Sequence, residues 1–291
     1  MDIVDTTQQA WELVLPNTRG GDVFRKVIRS AESGRQVSYD IRFERFGEGD
    51  RGYTSIRHRH DFEQLRFAAT GKMDLGFDVL EEGDVGYFPA NAYYGPQRCE
   101  GAEILIMQWG DRFVNKTESD RAVAELSRHG EFRDGIYRGI TADGKPFNKD
   151  PLNAIWEHVF GQPYVPQAAR YRQPVLITPS AFGWSEPEGP VRRRRLGTFT
   201  EISLELESVQ WIEDGSFEVG GDSRDRRPTF LFTRSGQYSQ DGVHFGALTG
   251  VWAGPGENGK IDAIAGSELL LVRFPEPSSE ITLGLDRSNT P

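Results

Sequence analysis

The feature that most constrains the fold of this chain is an internal repeat. Three segments of the first half recur in the same order in the second half: QLRFAATGKMDLGFD (64–78), GYFPANAYYG (86–95) and AEILIMQW (102–109) correspond to TFLFTRSGQYSQDGVHFG (229–246), GVWAGPGENG (250–259) and SELLLVRF (267–274). Gly71 aligns with Gly236 and Pro89 with Pro255, at offsets of 165 and 166 residues. Similarity at a nearly fixed offset indicates a duplicated structural unit.

Each copy has the pattern of β-strands. Residues 36–45 alternate between apolar and polar, which is typical of a strand with one buried face. Glycine and Asp-Gly breaks separate further predicted strands at 53–58, 63–69, 73–79, 85–88 and 102–109. Helix signals are confined to the region between the copies: a capped segment from Thr117 to Gly130, and a segment from Pro151 to Gly161.

Composition excludes several classes of protein. The 44 Asp and Glu against 34 Lys and Arg give a formal charge of -10, which argues against a nucleic-acid partner. The single cysteine, Cys99, excludes an internal disulfide and a cysteine-based zinc cluster. The N-terminal residues lack a basic, apolar leader, and the apolar segments are too short to cross a membrane. We therefore expect a cytoplasmic protein with no membrane partner.

Two of the five histidines stand in one tripeptide, His58-Arg59-His60. On a regular strand, residues i and i+2 point to the same side, so both imidazoles would face one way. Gln64 has the parity to join that face, whereas Glu63 has the opposite parity and would point outward. The pattern predicts two metal ligands on one strand, or a surface pair of histidines.

The spacing around this pair resembles the first motif of the cupin superfamily, G-x5-H-x-H-x3,4-E-x6-G. Gly52, His58, His60, Gln64 and Gly71 match every interval, with glutamine in the place of glutamate. The second cupin motif, G-x5-P-x-G-x2-H-x3-N, matches at Gly83 and Pro89 and departs at three positions: Asn91, Tyr94 and Arg98. With the duplication, the whole chain resembles a bicupin.

This resemblance implies an all-β fold, in which two double-stranded β-helix (jelly-roll) barrels are joined by a short helical insertion. The expected domains are an N-terminal barrel at 1–115 with the metal or active site, a helical and proline-rich connection at 116–195, and a C-terminal barrel at 196–291. Carrying the alignment into the second barrel places Ser223, Asp225, Thr229 and Lys260 at the ligand positions. Because no imidazole stands there, we expect a barrel without metal that is structural or forms a homodimer.

The resemblance also implies a divalent metal ion in the first barrel, held by His58, His60, Gln64 and Tyr94. Two imidazoles with neutral oxygens suit Fe, Mn, Ni, Cu or Zn. Affinity should be lower than for a set that contains glutamate and a third histidine, because the glutamine carries no charge. The alternative is a metal-free pocket in which His58, His60 and Tyr94 form hydrogen bonds or transfer protons.

For function, the leading expectation from the resemblance is a metal-dependent dioxygenase or other oxidoreductase. It would act in the first barrel on a small organic substrate, which the aromatic content suggests is flat or apolar, with Tyr94 and Arg66 as candidate catalytic residues. A lyase, isomerase or cyclase using His and Tyr acid–base chemistry is a second reading. A non-catalytic cupin that binds a small molecule is a third.

Overall fold

The computed structural model describes residues 1–15, 18–31, 37–110, 113–220 and 226–276. These residues form two compact units. The first unit spans Gln9–Thr178, and the second unit combines Met1–Gln8 with the chain from Pro179 onward. No helix in the described residues is long and apolar enough to cross a membrane.

Short strands make up most of both units, as the alternating patterns predict. In chain order they are β1 (Asp2–Asp5), β2 (Glu12–Leu13), β3 (Val23–Arg29), β4 (Ser38–Phe46), β5 (Tyr53–Ser55), β6 (Glu63–Thr70), β7 (Met73–Asp74), β8 (Val79–Leu80), β9 (Val85–Phe88), β10 (Gln97–Cys99), β11 (Glu103–Gly110), β12 (Gly130–Arg133), β13 (Ile136–Ile140), β14 (Pro146–Lys149), β15 (Val175–Ile177), β16 (Val191–Phe199), β17 (Leu204–Trp211), β18 (Gly215–Val219), β19 (Thr229–Ser235), β20 (Tyr238–Gln240), β21 (Val243–Phe245), β22 (Thr249–Ala253), β23 (Gly259–Ala263) and β24 (Glu268–Arg273).

Two α-helices lie in the first unit, and local signals fix their ends. Helix α1 (Lys116–Leu126) begins with a capping box, in which the Asn115 side chain accepts from the Glu118 N–H and the Glu118 carboxylate accepts from the Asn115 N–H. Helix α2 (Pro151–Phe160) begins at the Asp150 cap and ends at Gly161, whose φ is 64°. Helix α1 stops before Gly130 because residues 130–133 pair with β13.

The two units repeat one topology. The larger sheet of the first unit has the order β15-β9-β6-β11-β4-β3-β2, and that of the second unit has β1-β22-β19-β24-β17-β16. The smaller sheets have the orders β5-β10-β7-β8 and β18-β23-β20-β21. Each central strand thus has its counterpart in the same place, and β6, β9 and β11 correspond to β19, β22 and β24. The sequence repeat therefore corresponds to a repeat of the structure. We call the larger and smaller sheets of the first unit the first barrel, and those of the second unit the second barrel.

The aligned glycines Gly71 and Gly236 lie in equivalent turns of the two barrels and have the same structural role there. Both have positive φ, 68° and 99°, at the turn after β6 and β19. A Cβ on Gly71 would lie 3.0 Å from the Cβ of Ala102, and one on Gly236 would lie 2.5 Å from the Cβ of Ser267. Ala102 and Ser267 immediately precede β11 and β24, so both turns need glycine for backbone conformation and for close approach.

Domain limits differ from the expected 1–115, 116–195 and 196–291. Strand β1 pairs with β22, so the first eight residues belong to the second unit. Residues 116–178 fold with the first barrel, and they include a three-stranded sheet, β12-β13-β14, that the sequence analysis did not predict. Residues 191–195, which were expected to end the connection, already belong to β16. Pairing between strands so distant in sequence leaves no local signal.

The cores lie between the sheets. In β4, Tyr39, Ile41 and Phe43 are buried, as their alternation predicts, on the face opposite Asp40 and Arg42 and outside this inter-sheet core. The first core includes Met73, Phe88 and other residues from both sheets of the first barrel. The second core is likewise built from both sheets of the second barrel. Residues of both sheets thus contribute to the core of each barrel.

Substitution of Gly236 by alanine tests the turn that the repeat identified. The added Cβ would lie 2.1 Å from the Ser267 Oγ and 2.6 Å from its Cα. We expect Gly236→Ala to destabilise the second unit by more than about 2 kcal/mol, measured by calorimetry. Gly242→Ala is the control, because Gly242 also has positive φ but its Cβ would meet nothing within 4 Å. Equal losses in the two variants would contradict the close-approach argument.

Candidate active site in the first barrel

The first barrel contains a cavity of ≈ 270 Å³. Its wall combines both sheets with helices α1 and α2, so the insertion that was expected to be only a connection helps to enclose the site. The lining includes basic, acidic and aromatic side chains. The predicted site residues His58, His60, Gln64 and Arg66 are among them.

One polar face of the larger sheet forms the floor of this cavity. Residues opposite each other in neighbouring antiparallel strands carry their side chains on the same face. Two such rows across β6, β11 and β4 line the cavity: Gln64–Gln108–Asp40 and Arg66–Ile106–Arg42. The alternation in β4 predicted only its apolar side. The charged residues in between, Asp40, Arg42 and Glu44, were the signal that could have located this face.

The two histidines lie beyond the end of a strand rather than within one. Strand β5 ends at Ser55, and His58 forms an isolated antiparallel bridge with Tyr94. The His58 and His60 rings still meet edge-on, with centroids 5.1 Å apart. The prediction that they share a regular strand is therefore wrong, although the two imidazoles are brought together as expected.

Asn91 explains one departure from the second cupin motif. It stands at a motif glycine position and has a φ of 64°. Asparagine tolerates this left-handed conformation better than most residues. Its N–H donates to the His60 carbonyl at 2.6 Å, which ties the second motif to the first.

Arg66 connects the predicted site residues to one another. Its Nε donates to the Gln64 Oε1 at 2.6 Å, and its Nη2 donates to the Tyr94 hydroxyl at 3.2 Å. The Tyr94 hydroxyl is also hydrogen-bonded to the Nε2 of His60. Tyr94 is 2% exposed and belongs to the buried core, behind the histidine and arginine that line the cavity. Tyr94 thus orients His60 and Arg66.

A second buried network, which the sequence analysis missed, lies on β4. Arg42 donates to the Glu44 Oε1 at 2.6 Å and to the Gln108 Oε1 at 2.7 Å, and Arg25 also pairs with Glu44 at 3.1 Å. Burial alone would raise the pKa of Glu44, but Arg42 and Arg25 outweigh it and lower that pKa. The carboxylate is therefore ionised and neutralised by two arginines.

Glu63 lies on the opposite face from Gln64, as its parity predicts, but it is not exposed. It is 1% exposed and forms an ion pair with Arg170. It also accepts from the Tyr87 hydroxyl at 2.7 Å and from the Ala90 N–H at 3.1 Å. A segment distant in sequence covers this face, so Glu63 anchors that segment instead of facing water.

Burial sets the protonation states of the site. It lowers the pKa of His58 well below the ordinary 6.5, and the nearby Arg19 charge lowers it further. Burial, His58 and Arg19 lower the pKa of His60 in the same way. Burial raises the pKa of Tyr94 although Arg66 opposes it. At neutral pH the site therefore holds two neutral imidazoles and a protonated phenol.

Comparison with known proteins gives the fold. No family model and no curated protein sequence matches this chain. Among solved structures, a Nostoc punctiforme protein provisionally assigned as a dioxygenase has a TM-score of 0.63 at 11% identity, covering 97% of this chain and 84% of that one. A mutant of oxalate decarboxylase from Bacillus subtilis has a TM-score of 0.52 at 14% identity, covering 95% of this chain and 77% of that one. HEPD from Streptomyces albus, with Fe(II) and 2-hydroxyethylphosphonate bound, has a TM-score of 0.54 at 12% identity, covering 99% of this chain and 79% of that one.

This chain has the bicupin fold. The resemblance drawn from the two motifs and the expected all-β class are both confirmed. Identities of 11–14% establish the architecture and not the chemistry. In the second barrel, Thr229 lies in β19 and Lys260 in β23, whereas Ser223 and Asp225 lie outside the described residues.

The donors in the first barrel fit a divalent metal only in part. His58 fits, because its Nδ1 donates to the Ile56 carbonyl at 2.7 Å and leaves the Nε2 lone pair available. Gln64 and Tyr94 fit poorly, because both oxygens are neutral and accept from the cationic Arg66, whose charge would repel a metal ion bound at the same oxygens. The described residues contain no group of three or more His, Cys, Asp or Glu arranged to hold a metal. As it stands, the arrangement is not a metal-ligand set.

The pH dependence of the free energy of unfolding tests whether His58 and His60 are neutral in the folded protein. The pKa values of His58 and His60 are lowered in the folded state, so below about pH 6.5 the unfolded chain binds more protons than the folded one. The free energy of unfolding should fall as pH drops from 6.5, by up to about 1.4 kcal/mol per pH unit for each histidine. Urea unfolding of wild type and of His58→Gln/His60→Gln between pH 7 and 5 measures the difference. The control His244→Gln changes an exposed histidine and should retain the wild-type dependence.

Removal of Arg170, the cation beside Glu63, should lower the free energy of unfolding. Arg170→Met leaves a buried carboxylate without its ion pair, and we expect a loss of about 3 kcal/mol in unfolding free energy. In Glu63→Gln/Arg170→Met the carboxylate is also removed, so most of this loss should be recovered. If the single and double variants were equally unstable, the effect would come from packing of the arginine stem.

Proposed function

We propose that this bicupin is an enzyme that moves a proton on a small organic acid in its first barrel, as a lyase or isomerase does. The observation that carries the proposal is that a neutral, oriented imidazole and a buried guanidinium line the same cavity. His58 is held by the Ile56 carbonyl, and Arg66 is held by Gln64 and Tyr94. These are the two groups that proton abstraction next to a carboxylate or carbonyl requires.

The roles follow from hydrogen bonding. Because a carbonyl oxygen only accepts, the Nδ1 of His58 carries the proton, and its Nε2 lone pair is the candidate base. Removal of a proton from carbon leaves negative charge on the adjacent oxygen of an enolate. Arg66 stabilises that oxyanion with donors that are already fixed in place. Tyr94 is a positioning residue, because its hydroxyl bonds His60 and Arg66 from the buried side.

The lining indicates the class of substrate. A cavity of ≈ 270 Å³ suits a small organic molecule. Its basic side chains outnumber its acidic ones, and two of its acids, Asp40 and Glu44, are paired with Arg42. This excess favours a substrate with a carboxylate. Aromatic side chains, including Phe62 and Trp156, form the apolar part of the wall.

A second candidate is the metal-dependent oxygenation that the sequence analysis placed first. The Nδ1 hydrogen bond of His58 is one that metal-binding histidines commonly make. Similar structures include HEPD with Fe(II) bound and oxalate decarboxylase with Mn(II) centres. Both neighbours are enzymes, which supports catalysis in general. The hydrogen bonds from Arg66 to Gln64 and Tyr94 favour the proton-transfer proposal over this candidate.

Exchange of substrate hydrogen with solvent separates the two candidates. Protein treated with EDTA is incubated anaerobically in D2O with a panel of small keto and hydroxy acids, and NMR follows loss of the proton next to the carbonyl or carboxylate. We expect exchange with at least one acid, and a loss of about 100-fold or more in His58→Gln. The control His244→Gln should retain the wild-type rate. Turnover that requires added metal and O2 would overturn the proposal in favour of the second candidate.

A further inference from the structure

Arg66 is a buried cation without a carboxylate partner among the described residues. It is 5% exposed, and its three described hydrogen bonds go to neutral acceptors: the Gln64 amide oxygen, the Tyr94 hydroxyl and the Met73 sulfur. Its guanidinium also lies 4.3 Å from the centroid of the Phe88 ring. Burying a charge is costly unless an opposite charge accompanies it. A charge of this kind, on the wall of a cavity, indicates that an anion completes the site.

The neighbouring acids do not supply that anion. Glu63 lies on the other face of β6 and is paired with Arg170. Glu44 is shared by Arg42 and Arg25, and Asp40 is bonded to Arg42. These carboxylates already have cationic partners, whereas the groups that bond Arg66 are uncharged.

Arg66 lies beside residues that match the metal-ligand positions of the cupin motifs. Two of the four predicted ligand side chains, Gln64 and Tyr94, direct their oxygens at the guanidinium. A divalent ion bound to the same oxygens would stand beside a fixed positive charge, with no anionic ligand to offset it. Each oxygen would also have to share its lone pairs between the ion and Arg66.

We infer that Arg66 is the resident cation of this site, taking the electrostatic place of a metal, and that it is completed by the carboxylate of the ligand. The inference rests on the proposed function for the identity of that ligand. The exclusion of metal rests on the geometry alone. Removal of Arg66 should accordingly turn the same residues into a metal site.

Titration with Co2+ alone, followed by calorimetry and visible absorbance, tests the exclusion. EDTA-treated wild type should bind Co2+ weakly, and Arg66→Met should bind it about tenfold more tightly or better. Arg66→Met/Gln64→Glu should bind more tightly still, because it adds an anionic ligand. Arg66→Met/His58→Gln should lose the gain. Arg59→Met is the matched control, since it removes another cavity arginine that lies against Tyr93, and it should leave Co2+ affinity unchanged.

Gln64→Glu alone separates the two readings of the site without removing a buried side chain. The new carboxylate would take the hydrogen bond from the Arg66 Nε and form an ion pair, so Co2+ affinity should rise far less than in the double variant. A large gain in this single variant would overturn the inference. So would wild type that binds Co2+ as tightly as Arg66→Met, or that carries one metal ion per chain when purified.

The outcomes also distinguish this inference from the proposed function. Tight Co2+ binding by wild type together with metal-free proton exchange would overturn the inference and leave the proposed function standing. Weak Co2+ binding together with no exchange on any acid of the panel would do the reverse. Circular dichroism of each variant verifies that it is folded before its affinity is interpreted.

Discussion

The buried guanidinium of Arg66 is the interaction on which the rest of the first-barrel site depends. It draws the side chain of Gln64 from its own strand and the hydroxyl of Tyr94 from the loop after β9 to one point. Through Tyr94 it also fixes His60. Because a buried charge must be satisfied, these contacts hold β6 and the loop after β9 together at the site.

The second barrel shows what the same architecture does without that charge. The offset of 165 residues places Leu231 at the position of Arg66, and Leu231 is fully buried in the second core. In register it lies beside Leu271 and Val251, where Arg66 lies beside Ile106 and Gly86. The interior of the second barrel is filled by apolar side chains, whereas the polar floor of the first barrel lines a cavity that can hold a ligand. The copies have therefore kept one topology while their interiors diverged.

The insertion between the copies contributes to the site as well as to the connection. Helices α1 and α2 close the cavity over the polar floor, and Glu63 ties the segment around Arg170 to the outer face of β6. Neighbouring residues on one strand thus serve opposite purposes. Gln64 faces the cavity and Glu63 secures the covering segment, because successive side chains on a strand point to opposite faces.

The sequence by itself determined the repeat, the all-β class and the ends of helix α2, because periodicity and capping are local signals. The resemblance to the cupin motifs also picked out residues that the structure brings close together: His58, His60, Gln64, Arg66 and Tyr94. Only the tertiary structure decided that His58 and His60 lie outside a strand, that β1 joins the second barrel, and that Arg66 takes the oxygens of Gln64 and Tyr94. Those outcomes depend on which distant strands pair and on how a buried charge finds acceptors. Neither the pairing of distant strands nor the acceptors of a buried charge can be predicted from local sequence patterns.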